Sequence, residues 1–306
     1  MRAPVLTALI GLSLFLARAS AQGGDRGQYT IAVDVDLVVF NVSVTDGKGR
    51  QMAGLKASDF RVLEKGRLQE IRSFSTNDVP ASIGLIIDNS GSMMNKREDV
   101  INAALVFVGA SHPDDEMFAV NFNERVYLGL PPAIPFTSER DQMRSALVRN
   151  APVGLTALYD ALAMGIEHLK GGTHDRKALV VLSDGGDNAS HRSLNDVLEI
   201  AKRSNATIYT IGIYDETNLD RNPRVLRRIS DLTGGKAYFP ASLKDMERVW
   251  RDIAGAIRGQ YTIGYHSNDP ARDGLFRKVE ITVGGRDRRI TTRDGYFGPT
   301  AEPVAR

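Results

Sequence analysis

Hydrophobic residues follow a period of two near both ends of the chain. In residues 29–75 the apolar positions alternate with small or polar ones, and the phase shifts by one position near Asp36-Leu37. The alternating positions are Tyr29, Ile31, Val33 and Val35 before the shift, and Val38, Phe40, Val42 and Val44 after it. Because such a shift turns the opposite face inward, we expect a bulge or break there. Residues 260–297 show the same alternation, which predicts antiparallel strands in both stretches.

Residues 81–258 follow a different pattern. Continuous apolar runs such as 83–87 and 178–182 have the length of strands buried on both faces. Between them apolar residues recur at helical spacing, as in 158–169, and two short runs around 121–124 predict a hairpin. This alternation predicts an α/β fold with a doubly wound, mostly parallel sheet.

The two terminal stretches each offer only three or four short strands, too few for a stable sandwich alone. We therefore expect them to pair in one discontinuous β-sandwich domain, residues 29–79 plus 260–298. The α/β domain, residues 80–258, would be inserted into it, with linkers near Val79-Pro80 and Arg258-Gly259. Residues 299–306 would form a C-terminal tail. A length of 306 residues fits roughly two domains.

Residues 1–21 have the features of a secretory signal peptide. Arg2 precedes an apolar stretch, and Ala19-Ser20-Ala21 is a small-residue cleavage site, which predicts a mature start at Gln22. An uncleaved anchor is the alternative, and Arg18 with the small-residue triplet argues against it. No later apolar run is long enough to span a bilayer. We expect an exported protein that is periplasmic, at the cell surface or secreted.

Composition narrows the functional classes. A net charge of +2 excludes a strongly basic nucleic-acid binder on charge alone, so no nucleic-acid partner is expected. The chain has no cysteine, which excludes disulfide scaffolds, zinc–thiolate sites and catalytic thiols. An exported protein without disulfides fits a bacterial envelope better than an animal extracellular space.

Five oxygen-bearing side chains stand at the junctions that follow the predicted strands. Ligands of open α/β sheets bind at the carboxyl ends of the strands, and oxygen donors suit a hard cation such as Mg²⁺. Each residue also has an ordinary interpretation as a turn, a helix N-cap or a loop polar residue. The five side chains are Asp88, Ser90, Ser92, Thr156 and Asp184.

This constellation resembles the metal-ion-dependent adhesion site of von Willebrand factor type A (VWFA) domains. Asp88, Ser90 and Ser92 match the D-x-S-x-S motif, Thr156 matches the separate threonine, and Asp184 matches the later aspartate. The resemblance covers residues 81–258. The flanking β segments resemble those of exported bacterial VWFA-related proteins, and the insertion is similar in architecture to the integrin β subunit.

The resemblance implies that Ser90, Ser92 and Thr156 ligate a divalent cation through their hydroxyls. Asp88 and Asp184 would act directly or through water. Mg²⁺ would be the principal ion, with Mn²⁺ or Ca²⁺ as alternatives, and the open position would take an Asp or Glu carboxylate of a partner protein. The expected function is cation-dependent protein binding or adhesion without enzymatic activity.

Two alternatives stay open. One is a structural subunit of an envelope assembly with a stabilising metal, and the other, less favoured, is a metal-dependent hydrolase. The sequence has no zinc-protease histidine pair, phosphate-binding loop or serine-hydrolase elbow.

Several neighbouring residues have two interpretations each. Met93-Met94 would form an apolar rim for a partner or pack the first helix. Asp187 and Asn188 are interpreted as loop polar residues rather than supports of the site. A basic cluster on a predicted helix would be a solvated face or a surface for an anionic partner. Its members are Arg221, Arg224, Arg227 and Arg228.

Overall fold

The computed structural model describes residues 37–76, 78–149, 153–214 and 221–301. The strands, in chain order, are β1 (Leu37–Thr45), β2 (Phe60–Glu64), β3 (Arg67–Gln69), β4 (Ile71–Ser75), β5 (Ala81–Asp88), β6 (Glu116–Phe122), β7 (Val126–Leu128), β8 (Arg176–Ser183), β9 (Thr207–Gly212), β10 (Ala237–Tyr238), β11 (Tyr261–His266), β12 (Phe276–Val283), β13 (Arg289–Thr291) and β14 (Gly295–Phe297). The α-helices are α1 (Arg97–Ala110), α2 (Arg140–Val148), α3 (Leu158–Leu169), α4 (Leu194–Arg203), α5 (Pro223–Leu232) and α6 (Met246–Arg258).

A six-stranded sheet forms the centre of the molecule, in the order β10-β9-β8-β5-β6-β7. All neighbouring strands are parallel except β7, which returns antiparallel to β6 as the expected hairpin. Every residue of β5 is buried, because helices cover both faces of a parallel sheet. The prediction of a mostly parallel α/β sheet is confirmed.

Two of the helices, α4 and α5, begin at residues whose side chains cap them. Ser193 accepts a hydrogen bond from the Asp196 N–H and caps α4, and Asn222 caps α5 in the same way, followed by Pro223 at the first helical position. Helix α2 was not predicted, because only three of its nine residues are buried apolar ones and the helical period is therefore faint.

The terminal segments form two four-stranded antiparallel sheets. One has the order β13-β1-β11-β4 and the other β14-β12-β2-β3, so each combines strands from both ends of the chain. Both contribute to one hydrophobic cluster, in which Phe40 and Ile263 are fully buried. The division into a sandwich domain with an inserted α/β domain, with the boundaries given above, stays a prediction.

The predicted shift of phase near Asp36-Leu37 adjoins the start of β1, and the bulge or break expected there stays a prediction. This strand begins at Leu37, and its alternate residues from Val38 onward are buried against the cluster. The preceding alternation at residues 29–35 and the predicted signal peptide lie outside the described residues. No helix in the described ranges is long and apolar enough to cross a membrane.

One buried arginine binds both connections between the central sheet and the terminal strands. Arg176, at the first position of β8, is 1% exposed. Its guanidinium donates to the carbonyls of Val79 and Arg258 at 3.2 Å each and to that of Gln260 at 2.8 Å. The entry and exit of the central α/β segment are therefore held at the same end of the sheet.

A second buried charge joins β2 to β12. Glu64 and Arg277 are 2% and 1% exposed, and their nearest charged atoms are 3.7 Å apart. The Glu64 carboxylate also accepts hydrogen bonds from the Tyr265 and Tyr296 hydroxyls at 2.9 and 3.1 Å and from Ser267 at 2.8 Å. These bonds satisfy a carboxylate that would otherwise be costly to bury.

Candidate functional site

The first three predicted site residues occupy the loop that leaves the central strand β5. Asp88 is the last residue of β5, and a short 3₁₀ helix from Gly91 to Lys96 begins three residues after it. Asp88 and Ser90 are each 2% exposed, whereas Ser92 is exposed. The loop thus leads from a buried carboxylate to a hydroxyl at the surface.

A chain of hydrogen bonds joins this loop to the end of β8. The Asp88 carboxylate accepts the Ser90 N–H at 2.8 Å, and the Ser90 and Ser92 hydroxyls lie 3.1 Å apart. The Ser92 hydroxyl donates to the Asp184 carboxylate at 2.9 Å. Asp184 directly follows β8 and is 2% exposed. Four of the five predicted residues therefore meet at the carboxyl ends of two adjacent parallel strands.

The loop that carries Thr156 is joined by a main-chain hydrogen bond to the loop that carries Ser90 and Ser92. The Gly91 N–H donates to the Gly154 carbonyl at 3.1 Å, which joins the two loops. Gly154 has a φ of +83°, and a side chain there would overlap the Glu124 carboxylate, so this turn requires glycine. Thr156 is 7% exposed, and its carbonyl accepts the Asn188 N–H at 3.0 Å.

Residues that the sequence interpretation set aside support the site. The Asn188 side-chain oxygen accepts the Thr156 N–H at 2.8 Å, so Asn188 bonds both the N–H and the carbonyl of Thr156. Asp187 accepts the Ser190 hydroxyl at 2.6 Å and the Tyr159 N–H at 3.2 Å, which joins the loop to α3. Their interpretation as ordinary loop polar residues is therefore replaced by a structural role beside Thr156.

Ser183 and Asn89 also support the site, and neither role was predicted from the sequence. The Ser183 hydroxyl donates to the second oxygen of the Asp88 carboxylate at 2.7 Å. Asn89 donates to the buried Asn121 side chain at 3.1 Å, and Asn121 donates to the Ala146 carbonyl at 2.7 Å. The place of Ser183 in the sequence could have indicated its role, since it is the last residue of a buried strand and directly precedes Asp184.

The interpretation of Ser92 and Thr156 as helix N-caps is wrong. The N-cap of the 3₁₀ helix is Ser90, which makes no side-chain capping bond, and that of α3 is Ala157. The Ser92 hydroxyl, which lies in the 3₁₀ helix, instead donates to Asp184 in the loop after β8.

The electrostatics of the site favour a bound cation. Burial raises the pKa of the Asp88 carboxyl to about 6, and the nearby Asp184 carboxylate adds to the rise. Hydrogen bonds from Ser90 and Ser183 act in the opposite direction. Two carboxyl groups that are each 2% exposed thus share one small region, where a positive charge between them would lower the free energy of the ionised forms.

The spacing of the oxygens fits a small divalent ion. Neighbouring ligands of an octahedral Mg²⁺, each about 2.1 Å from the ion, lie about 3 Å from one another. The pairs Ser90–Ser92 and Ser92–Asp184 have oxygen separations of 3.1 and 2.9 Å. Among the described residues no three His, Asp or Glu side chains gather around one point, so such a site depends on its hydroxyl groups.

Comparison with known proteins identifies the central region. Residues 83–186, which include all five site residues, match the family model of the von Willebrand factor type A domain. This part of the chain is similar in sequence to VWFA domains. The resemblance drawn from the D-x-S-x-S motif is therefore confirmed, and the VWFA match includes strands β5, β6 and β8, whose ends surround the site.

A curated relative matches part of this chain. An uncharacterized protein of Synechocystis is 28% identical over 152 residues, which cover 46% of this chain and 34% of the relative. This chain therefore spans about a third of the relative's length.

The solved structures show the fold. A von Willebrand factor type A protein from Catenulispora acidiphila has a TM-score of 0.54 at 15% identity, over 88% of this chain and 75% of its own. The von Willebrand factor domain of a type V pili tip protein from Porphyromonas gingivalis has a TM-score of 0.50 at 14% identity, over 60% and 96% of the two chains. The first match extends beyond residues 83–186 into the flanking strands.

The reciprocal bonds between Asn188 and Thr156 lead to a prediction. Asn188→Ala removes the acceptor of the Thr156 N–H, so we expect Mn²⁺ affinity, measured by titration calorimetry, to fall about tenfold. Asn188→Asp keeps an acceptor oxygen and should restore most of the affinity. Asn205→Ala, at an exposed residue outside this loop, is the control. Equal affinity in wild type and Asn188→Ala would show that the pair does not position Thr156.

Proposed function

We propose that this protein is an exported protein-binding module that uses a divalent cation to hold an acidic group of a partner protein. Mg²⁺ is the proposed ion, with Mn²⁺ and Ca²⁺ as alternatives. The observation that carries the proposal is the row of oxygens from Ser90 through Ser92 to Asp184, spaced like neighbouring ligands of one ion.

Each residue has a defined part in this proposal. Ser90, Ser92 and Thr156 would hold the cation by neutral hydroxyl oxygens, and the Asp88 and Asp184 carboxylates would balance its charge. Ser183 and the Ser90 N–H fix the Asp88 carboxylate, and the Gly186 N–H fixes that of Asp184 at 2.9 Å. A cation bound there would supply an open coordination position with positive charge for an anionic oxygen.

The geometry of the opening supports binding from solution. Ser92 is exposed whereas Asp88, Ser90 and Asp184 are buried, so a partner would reach the cluster from the side of Ser92. The two sheets of the terminal segments would act as a pedestal, because they join the domain at the opposite ends of β5 and β8, where Arg176 binds the connections. A pili tip protein with the same fold is consistent with an adhesive role.

Calorimetry with the metal alone tests the first half of the proposal. We expect Mg²⁺ and Mn²⁺ to bind the wild-type protein with one-to-one stoichiometry, and Thr156→Ala to weaken binding at least tenfold, since it removes one ligand oxygen. Thr282→Ala, at an exposed residue of β12, should bind as the wild type does. No uptake of Mg²⁺, Mn²⁺ or Ca²⁺ would overturn the proposal.

Partner capture from the native envelope, with Mg²⁺ and then with EDTA, tests the second half. Capture that requires Mg²⁺ and is lost in Thr156→Ala, with the fold intact, is the expected result. If Thr156→Ala chiefly lowers the melting temperature and no partner depends on the cation, the metal would instead serve a structural subunit of an envelope assembly.

A further inference from the structure

Large apolar side chains are exposed on the segments beside the candidate site. Nine such side chains are exposed in the described part of the chain, and four of them stand on these segments: one in the 3₁₀ helix, one at the end of α2 and two in the loop before α3. They are Met94 (56% exposed), Val148 (48%), Val153 (51%) and Leu155 (54%), which we call the apolar rim. Met93 beside them is 1% exposed, so Met93 packs the core and Met94 faces outward.

Hydrogen bonds hold the segments of the apolar rim beside the oxygen cluster. The Val153 N–H donates to the Asn89 carbonyl at 3.0 Å, inside the D-x-S-x-S loop. The Arg97 guanidinium donates to the Val148 carbonyl at 3.0 Å and also to the Asn89 side chain. Leu155 directly precedes Thr156. The apolar rim is therefore fixed on the same framework as the site residues.

Positive charge borders the site from another side. The Asn222 N–H donates to the Asp184 carbonyl at 2.9 Å, which places the start of α5 against the site. Four arginines of this segment are exposed, and none of them forms an ion pair with a carboxylate in the described ranges. They are Arg221, Arg224, Arg227 and Arg228, and their charge suits an anionic partner.

We propose that the apolar rim and the oxygen cluster together bind a protein segment in which one Asp or Glu lies between aliphatic side chains. This inference rests on the proposed function, because the cation would take the carboxylate. The apolar rim would bury the aliphatic side chains on either side of that carboxylate and exclude water from them. The apolar core of a protein interface does the same around a polar contact. Exposed apolar patches beside a polar centre mark such interaction sites.

Three biotinylated peptides on streptavidin biosensors test the inference. They share a Gly-Ser linker and differ in their core, which is Leu-Asp-Leu, Ser-Asp-Ser or Leu-Asn-Leu. In Mg²⁺ we expect the Leu-Asp-Leu peptide to bind at least about tenfold more tightly than either of the others, and EDTA to remove the difference.

Variants of the apolar rim test whether its side chains cause the preference for the Leu-Asp-Leu peptide. The double variant Met94→Ser with Leu155→Ser should bring the Leu-Asp-Leu and Ser-Asp-Ser affinities within about twofold, because apolar burial is lost. Leu68→Ser with Leu275→Ser, at residues 61% and 62% exposed away from the site, is the matched control and should keep the preference.

The other outcomes overturn the inference in distinguishable ways. Equal binding of the two Asp peptides in Mg²⁺ overturns the role of the rim and leaves the proposed function standing. Equal binding of Leu-Asn-Leu, or binding that persists in EDTA, overturns the combined recognition. Binding of no peptide by protein that takes up Mg²⁺ in calorimetry also overturns it, whereas failure of Mg²⁺ uptake itself is the failure of the proposed function.

Discussion

Asp184→Asn should abolish the rise in melting temperature that Mg²⁺ gives the wild-type protein. At Mg²⁺ concentrations of 100 times the dissociation constant, binding adds about 2.7 kcal/mol of stability. For a chain of this size that corresponds to a rise of about 5–10 °C. The amide keeps the side-chain shape and one acceptor for the Gly186 N–H but removes the negative charge beside the Ser92 hydroxyl.

The same variant should not be destabilised in EDTA. Asp184 and Asp88 are two buried carboxyl groups that repel each other without a cation, and asparagine removes one of the charges. Differential scanning fluorimetry in Mg²⁺ and in EDTA measures both effects. Asp231→Asn, on α5, is the control with the same chemical change. A Mg²⁺-dependent shift in Asp184→Asn equal to that of the wild type would contradict the assignment of Asp184.

Glu64→Ala should lower the free energy of unfolding by about 3–5 kcal/mol, because it leaves the Arg277 guanidinium buried without its carboxylate. The Tyr265 and Tyr296 hydroxyls would lose their acceptor at the same time. The expected fall in melting temperature is roughly 10 °C. Urea unfolding followed by circular dichroism measures the change.

Two companion variants make the Glu64 prediction specific. Glu280→Ala removes an exposed glutamate from the neighbouring strand β12 and should change stability by less than about 1 kcal/mol. Glu64→Leu with Arg277→Met removes both charges and should recover part of the loss. If Glu64→Ala is as stable as Glu280→Ala, the buried pair of Glu64 and Arg277 makes no net contribution to the free energy of unfolding.

The central sheet could be predicted from the sequence because its signals are local. Continuous apolar runs such as 83–87 and 178–182 mark β5 and β8, and the caps of α4 and α5 are adjacent to their helices. Helix α2 was missed because its buried residues are too few to show the period. The general pairing of the terminal segments was expected, but the order of strands in each sheet was not.

The five residues of the candidate site could be named from the sequence, whereas the residues that hold them in place could not. A motif with fixed spacing reveals Asp88, Ser90 and Ser92, whereas Asn188 acts on Thr156 across 32 positions by a bond that no local pattern marks. The buried pair of Glu64 and Arg277 is likewise joined only by the folded chain. Both examples depend on which loops and strands become neighbours, and that is decided by tertiary packing.

The position of Arg176 has a consequence for mechanical load. It binds both connections at the start of β8, whereas Ser92 and Asp184 lie beyond the other ends of β5 and β8. Tension between a captured partner and the terminal sheets would therefore run lengthwise along β5, which is bonded to β6 on one edge and to β8 on the other. Those rows of hydrogen bonds would be loaded in shear, so that they share the force and do not break one after another.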